Sequence, residues 1–182
     1  MCMELKAYVT NLGKYNEGEL VGKWITLPID EDDYAEVLKE IGIGTDTRGR
    51  IYEEVFFTDY DCEIPTIYDA LGEYERIDTL NEIGEALSGV SDSDEEKCKA
   101  VLECHVSGLN TIADIINSLD DYEFIEVNTE EDLGYYIVDE IYGGPEELGK
   151  ETLERYFDYE AFGRDCAIND YFETEYGYVS NR

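Results

Sequence analysis

Catalysis and metal binding need particular side chains at particular spacings, and this chain offers few. His105 is the single histidine, so a histidine-rich metal centre is impossible. A cluster of Cys98, Cys104 and His105 would still lack the fourth protein ligand of a structural zinc site, and His105 is expected simply to sit on an amphipathic helix. The cysteines, Cys2, Cys62, Cys98, Cys104 and Cys166, are odd in number, scattered and without a C-x-x-C. That pattern predicts free thiols rather than a disulfide framework or a zinc knuckle. Asp59-Tyr-Asp61-Cys-Glu63 and Asp92-Ser-Asp94 alternate acids as calcium loops do. Neither has the Gly at position six and Glu at position twelve of such a loop, and both are expected to be loop or cap residues. No G-x-S-x-G, phosphate-binding loop, G-x-G-x-x-G or H-E-x-x-H occurs. Among so many carboxylates, a pair of them says nothing about glycoside hydrolysis. The expectation is a protein without catalytic residues, metal or cofactor.

The carboxylates dominate instead. The chain has 46 Asp and Glu against 13 Lys and Arg in 182 residues, a formal net charge of -33. At 43% hydrophobic and 13% aromatic residues it can bury a core, unlike acidic, aromatic-poor chains that stay disordered. Such a surface repels phosphate, so direct binding to nucleic acid or to an anionic membrane is not expected. No stretch reaches the roughly 18 apolar residues of a membrane span, and Glu4 and Lys6 interrupt the start, which predicts a cytosolic protein. Between Lys99 and Lys150 there is no Lys or Arg, while Glu103, Asp114, Asp120, Asp121, Glu123, Glu126, Glu130, Glu131, Asp132, Asp139, Glu140, Glu146 and Glu147 fall inside. A second base-free run, residues 51–75, includes Glu73 and Glu75.

Charge on this scale destabilises a compact state and far exceeds the roughly 2 to 8 that keep a small domain soluble. A compact globule of this length would be about 40 Å across, whereas duplex DNA with the same charge is about 56 Å long. The charge therefore matches duplex density only in an elongated fold. Three other readings also fit composition alone: a halophile's general acidity, a calcium buffer, and a solvated face.

The elements that carry these acids follow from periodicity. Residues 5–10 and 20–27 read as two pairing strands joined by a loop, with Pro28 ending the second. Asp30 caps a short helix bearing Val37, Leu38 and Ile41, and residues 52–60 form a third strand. From Thr66 to Leu119 the period is helical: Ile77, Leu80, Ile83 and Leu87 with Asp78 as N-cap, then helices over 94–106 and from Asn110 or Thr111. Residues 122–127 read as a strand, and Thr129-Glu-Glu-Asp132 opens a helix through Tyr142. Pro145 opens another, reaching Phe157. A short helix at 159–168 and a hairpin or edge strand at 171–179 follow. The expected class is α+β, an elongated chain of three small domains: residues 1–63, an antiparallel sheet with a helix; 64–120, a helical bundle; and 121–182, a second α+β domain. The chain's 16 tyrosines often adjoin acids, as in Asp59-Tyr-Asp and Glu73-Tyr-Glu. They are either half-buried core edges or a rigid acidic contact surface.

Tyr8-Val-Thr-Asn-Leu-Gly-Lys-Tyr-Asn-Glu-Gly-Glu-Leu-Val-Gly-Lys-Trp24, running on to Leu27-Pro28-Ile-Asp30, resembles the opening of the ArdA antirestriction proteins. Asp158-Tyr-Glu-Ala-Phe162-Gly-Arg164-Asp165 resembles the closing motif of the same family, and Glu73-Tyr74-Glu75 with the following helix resembles its central segment. The resemblance implies a bacterial protein of mobile genetic elements that mimics the charge and bend of DNA as an elongated homodimer in the host cytoplasm. The partner it implies is a type I restriction-modification enzyme, engaged at its methyltransferase core or specificity subunit. The mimic face is then expected at Glu73, Glu75, Asp78, Glu82 and Glu85 together with the acids between Lys99 and Lys150. Dimerisation through the C-terminal third is implied, with Tyr156, Phe157, Tyr159 and Phe162 as candidates and ordinary core packing as the other reading. Gly13, Gly18 and Gly22 are expected to set a loop, Trp24 to pack the small domain, and Arg164 to pair with a carboxylate. The alternative function is an acidic chaperone or interaction module for a basic DNA-binding protein.

Overall fold

The computed structural model describes residues 3–144, 146–149, 155 and 157–181. Its helices and small antiparallel sheets make an α+β protein. The chain gathers into two compact units, Met1–Glu95 with Val106–Asn117, and Glu96–His105 with Ser118–Arg182.

In the first unit β1 (Leu5–Asn11) is central, antiparallel to both β2 (Gly22–Leu27) and β5 (Val55–Cys62), giving the order β2-β1-β5. Leu5, Ala7 and Val9 alternate into the core as a half-buried strand requires, facing Ile25 and Leu27 in register. Residues 11–19, expected as loop, contain a short helix, α1 (Leu12–Asn16). Asn11 starts it by accepting from the Lys14 amide at 3.0 Å, and its Nδ2 donates to the Ile41 carbonyl at 3.1 Å, so this buried polar side chain is bonded at both ends. Gly18 alone of the three opening glycines has a positive φ, +86°. Gly13 and Gly22 instead leave space for the rings of Tyr52 and Tyr8. Asp30 caps α2 (Glu31–Glu40), its Oδ1 accepting from the Asp33 amide at 2.8 Å. The expected third strand splits: β4 (Ile51–Tyr52) pairs with β3 (Gly44–Thr45), and β5 begins at Val55.

After α3 (Pro65–Ala70), α4 (Ile77–Ser88) presents Leu80, Ile83 and Leu87 to the core, as its stripe predicts. Its N-cap is Arg76, not Asp78. The helix begins at Ile77, which places Asp78 in the first turn, where its carboxylate meets the Arg76 guanidinium at 3.0 Å. The helix docks on the sheet at Gly84, where a Cβ would lie 2.6 Å from the Leu27 carbonyl carbon. Asn81 fixes the same junction, accepting from Ile29 N–H at 2.9 Å and donating to Ile29 C=O at 3.0 Å. The expected central helices are distributed between the units. α6 (Leu109–Asn117) packs in the first with Ile112, Ile115 and Ile116 buried, and α5 (Glu95–His105) lies almost wholly in the second.

The second unit has a three-stranded antiparallel sheet, β6 (Tyr122–Ile125), β7 (Tyr171–Thr174) and β8 (Gly177–Asn181), ordered β6-β8-β7. Thr129 caps α7 (Glu130–Tyr136): its Oγ accepts from the Asp132 amide at 3.1 Å and donates to the Asp132 carboxylate at 2.6 Å. The turn Ile137–Ile141 is π-helical. α8 (Tyr159–Asp170), longer than expected, is capped by Asp158. Its Gly163 lies so close to α7 that a Cβ would collide with the Glu130 carbonyl. Ile125, Leu133, Ile137 and Tyr178 form the core. The helix expected from Pro145 falls largely on residues outside the described set, as does Tyr156; residues 146–148 form a turn.

Candidate functional site

The structure sorts the candidate acids into two kinds. All are exposed except Glu75, Glu123 and Glu130, which are intermediate. Those three have internal roles: Glu75 accepts from the Gly72 amide, Glu123 from the Tyr136 hydroxyl at 3.1 Å, and Glu130 from Arg164 Nε at 3.0 Å. Glu103 accepts from the Glu175 amide, Asp132 completes the Thr129 cap, and Asp78 holds Arg76. By contrast Glu73, Glu82, Glu85, Asp120, Asp121, Glu126, Glu131, Asp139, Glu140, Glu146 and Glu147 are exposed, and among the described residues no cation pairs with them. These are the carboxylates available to an outside partner.

Helical geometry sets their spacing. On α4, Asp78, Glu82 and Glu85 stand at i, i+4 and i+7, opposite the buried stripe, and span about 10 Å along the axis at 1.5 Å per residue. Glu82, Glu85 and Asp114 of α6 share an open cleft of about 380 Å³ with Ala86, Ala113 and Asn117. Gathering like charges there costs folding energy through repulsion, and an external array of cations would relieve it. In the second unit, Glu130, Glu131 and Asp132 occupy the first turn of α7, where the positive end of the helix dipole offsets their mutual repulsion.

Among the described residues several basic side chains are engaged internally. Lys6 pairs with Glu4, Lys23 with Glu40, Lys99 with Glu96, and Arg50 with Asp46 at 2.8 Å and Glu17 at 2.7 Å. The Arg50 backbone amide, foremost, holds the Asp46 carboxyl below its usual range. Arg164 joins Glu130 to Glu160, in line with its expected ion pair. Tyr52 lies under Arg50 and Lys14 and donates its hydroxyl to Glu17. The tyrosines divide: Tyr52, Tyr159 and Tyr178 are buried in the core, whereas Tyr15, Tyr74, Tyr135 and Tyr142 are exposed.

Of the interface candidates, Tyr159 is only 8% exposed and stacks on Tyr135 at 3.9 Å between ring centres. Phe157 packs on Tyr159 and Phe162, and Phe162 abuts the core. Trp24 departs from expectation. It projects from the face of β2 opposite Ile25, is 44% exposed, and meets the Tyr8 ring edge-on at 5.3 Å between centres. Asp33 and Glu36 on α2 are further exposed acids, three apart on one helix face after the Asp30 cap.

The reactive groups are quiet. Burial, aided by Glu103, pushes the Cys104 thiol up to about 11, and burial raises Cys62 and Cys166 as well, so little thiolate exists at neutral pH. Burial lowers the His105 pKa; its Nε2 is enclosed without a hydrogen-bond partner among the described residues, beside Tyr122 and Phe172. Among the described residues, no group of three or more His, Cys, Asp and Glu is placed to hold a metal ion. Nor is any helix among them long and apolar enough to cross a membrane.

No curated protein matches the sequence significantly. The family model described as antirestriction protein (ArdA) matches residues 7–180. That match spans both units, with their buried cores and acid-bearing outer helix faces alike, and the chain belongs to the ArdA family of antirestriction proteins, inhibitors rather than enzymes.

Proposed function

We propose that this protein is a DNA mimic that occupies the DNA-binding groove of type I restriction-modification enzymes. The observation that carries the proposal is the set of exposed carboxylates without internal cations in a member of an antirestriction family. Glu82 and Glu85, the unpaired acids of α4, lie about 4.5 Å apart along its axis, which approaches the spacing of one DNA strand, about one phosphate per 3.4 Å. A groove lined with Lys and Arg for phosphates would receive such a surface with long-range steering and without sequence preference, because the mimic presents no base edges.

The arrangement proposed is an elongated chain of three small domains, divided near residues 63 and 120 and paired through the C-terminal third. As a homodimer it would carry about -66, the charge of roughly 110 Å of duplex. The groove belongs to the methyltransferase core or specificity subunit, and the setting is the bacterial cytoplasm. Neither nucleic acid nor membrane is a direct partner of so acidic a surface.

The test is cleavage of unmodified DNA by a purified type I restriction enzyme, titrated with this protein beside an unstructured polyanion of equal charge. Near-stoichiometric inhibition with the polyanion inert supports shaped mimicry, and affinity should fall steeply with salt. Absence of inhibition across several such enzymes overturns the proposal and directs attention to an acidic chaperone for basic DNA-binding proteins.

A further inference from the structure

The sheet of the first unit keeps Leu5, Ala7 and Val9 of β1 on its buried side, and the strand register fixes what stands on the other. Tyr8 is paired with Trp24 of β2 and with Asp59 of β5, so ring, ring and carboxylate follow one another across the three strands on one face. Directly opposite side chains of an antiparallel pair start about 5 Å apart. The Tyr8 and Trp24 rings meet at 5.3 Å between centres. A β-bulge where β5 passes Tyr8 and Val9 turns two successive residues to this same side: Asp59 stands opposite Tyr8, and the Thr58 Oγ lies 2.9 Å from the Thr10 Oγ. Trp24, Thr58 and Asp59 are exposed and Tyr8 is half-buried. In the next pair along, Lys6 lies opposite Asp61 and holds it at 3.7 Å, and Glu4 at 3.2 Å. Asp59 has no such cation among the described residues; its Oδ1 accepts from the Tyr60 amide at 2.9 Å, and its other oxygen is left to a ligand.

We propose that this outer sheet face docks an arginine side chain of the partner enzyme, its guanidinium lying on the Tyr8 and Trp24 rings and donating to the Asp59 carboxylate. Charge complementarity selects the occupant. Sheets that bind nucleic acid stack bases on exposed rings set among Lys and Arg. Here the rings are set among Asp59, Asp61 and Glu4, which repel phosphate and favour a cation. A planar guanidinium can stack on a ring and hydrogen-bond a carboxylate at once, which an ammonium cannot. A second copy of this chain would bring -33 of its own to an acidic face. The inference rests on the reading of a basic protein partner given above, and adds to it one localised anchor within an otherwise diffuse field of charge.

Trp24, the chain's single tryptophan, is also the reporter. The full chain is titrated at moderate salt with a pentapeptide bearing two arginines and with its lysine and citrulline counterparts, following tryptophan emission. The arginine peptide should give a saturable change, with binding at least about threefold weaker for the lysine and citrulline peptides and for the variant Asp59→Asn. Glu53→Gln removes the same charge from another exposed position and should bind as the unaltered chain does. In the restriction assay Trp24→Ala should inhibit about two- to fivefold less well than the unaltered chain, with Trp24→Phe between them. Asp59→Asn, which keeps both rings, should weaken inhibition in the same direction.

A flat titration, equal binding of the arginine and citrulline peptides, or equal weakening in Asp59→Asn and Glu53→Gln would overturn the docking site. A flat titration beside intact inhibition of the restriction enzyme removes the anchor and leaves mimicry standing. A saturable, Asp59-dependent titration beside no inhibition by the unaltered chain keeps the arginine site and removes the restriction enzyme as its owner.

Discussion

The two compact units keep their acids in different company. Around the sheet of the first, Lys6, Lys23, Arg50 and Arg76 each hold a carboxylate, and Glu17 and Asp46 are tied through Arg50 to the Tyr52 ring. In the second, Arg164 bridges α7 and α8, while Glu131, Asp139 and Glu140 face solvent with no cation among the described residues. A paired acid helps define a fold; an unpaired one adds repulsion that a partner can relieve. Both units also carry exposed acids without a cation among the described residues, Glu73, Glu82 and Glu85 in the first, so the contrast lies between paired and unpaired acids.

The largest expected effect tests that contrast directly. Changing Glu131, Asp139, Glu140, Glu146 and Glu147 together to Asn or Gln should raise the concentration needed for inhibition by about tenfold or more, while Tm holds or rises as self-repulsion falls. The same treatment of the paired acids Glu4, Glu17, Glu40 and Asp61 should instead lower Tm with a smaller loss of inhibition. If both sets behave alike in the restriction assay and in thermal unfolding, the distinction between paired and unpaired acids is wrong.

Packing defects should separate the units next. Gly163→Val would force α7 and α8 apart and destabilise the second unit by about 1–3 kcal/mol in denaturant unfolding. In the first unit, Asn81→Ala strands the Ile29 amide and carbonyl, at a cost of about 1–3 kcal/mol. Hydrogen exchange would show whether each loss stays within its own unit.

A smaller effect concerns pH. Because burial depresses the folded-state pKa of His105, its contribution to stability is present above its ordinary value near 6.5 and is lost as pH falls below that value through the folded pKa. His105→Leu should therefore remove a stability loss between about pH 7 and pH 5. The difference between the two pH profiles isolates this contribution from the opposing gain as carboxylates are neutralised. A parallel pair of profiles would exclude it. Smallest of all is Arg164→Ala, whose exposed ion pairs should change Tm slightly and not at all in high salt.

Local signals in the sequence led to the fold wherever one turn decides the outcome. Asp30 and Thr129 announce their helices because a short oxygen-bearing side chain before an acidic first turn satisfies free amides. The alternation of Leu5, Ala7 and Val9 announces a buried strand face. The signal fails where distant residues decide: α1 depends on Asn11 being held by Ile41, and the docking of α4 on the sheet depends on Gly84 meeting Leu27. The surplus of acids was legible as a population, and the partner of each acid was not. Only folding shows that Glu103 is committed to the Glu175 amide and Glu123 to Tyr136, whereas Glu131 and Glu140 stand clear. Trp24 misled because bulk predicts burial, whereas it lies on the more exposed face of its strand.

The segment from Asp158 to Asp165 holds a helix cap, a stacked tyrosine, a glycine at a helix crossing and an ion-paired arginine. The cap, the stacked ring and the glycine depend on fixed geometry, so substitutions at them carry a folding penalty, while the exposed arginine adds little. The outward acids have no such constraint, and Asp for Glu at any one of them changes little.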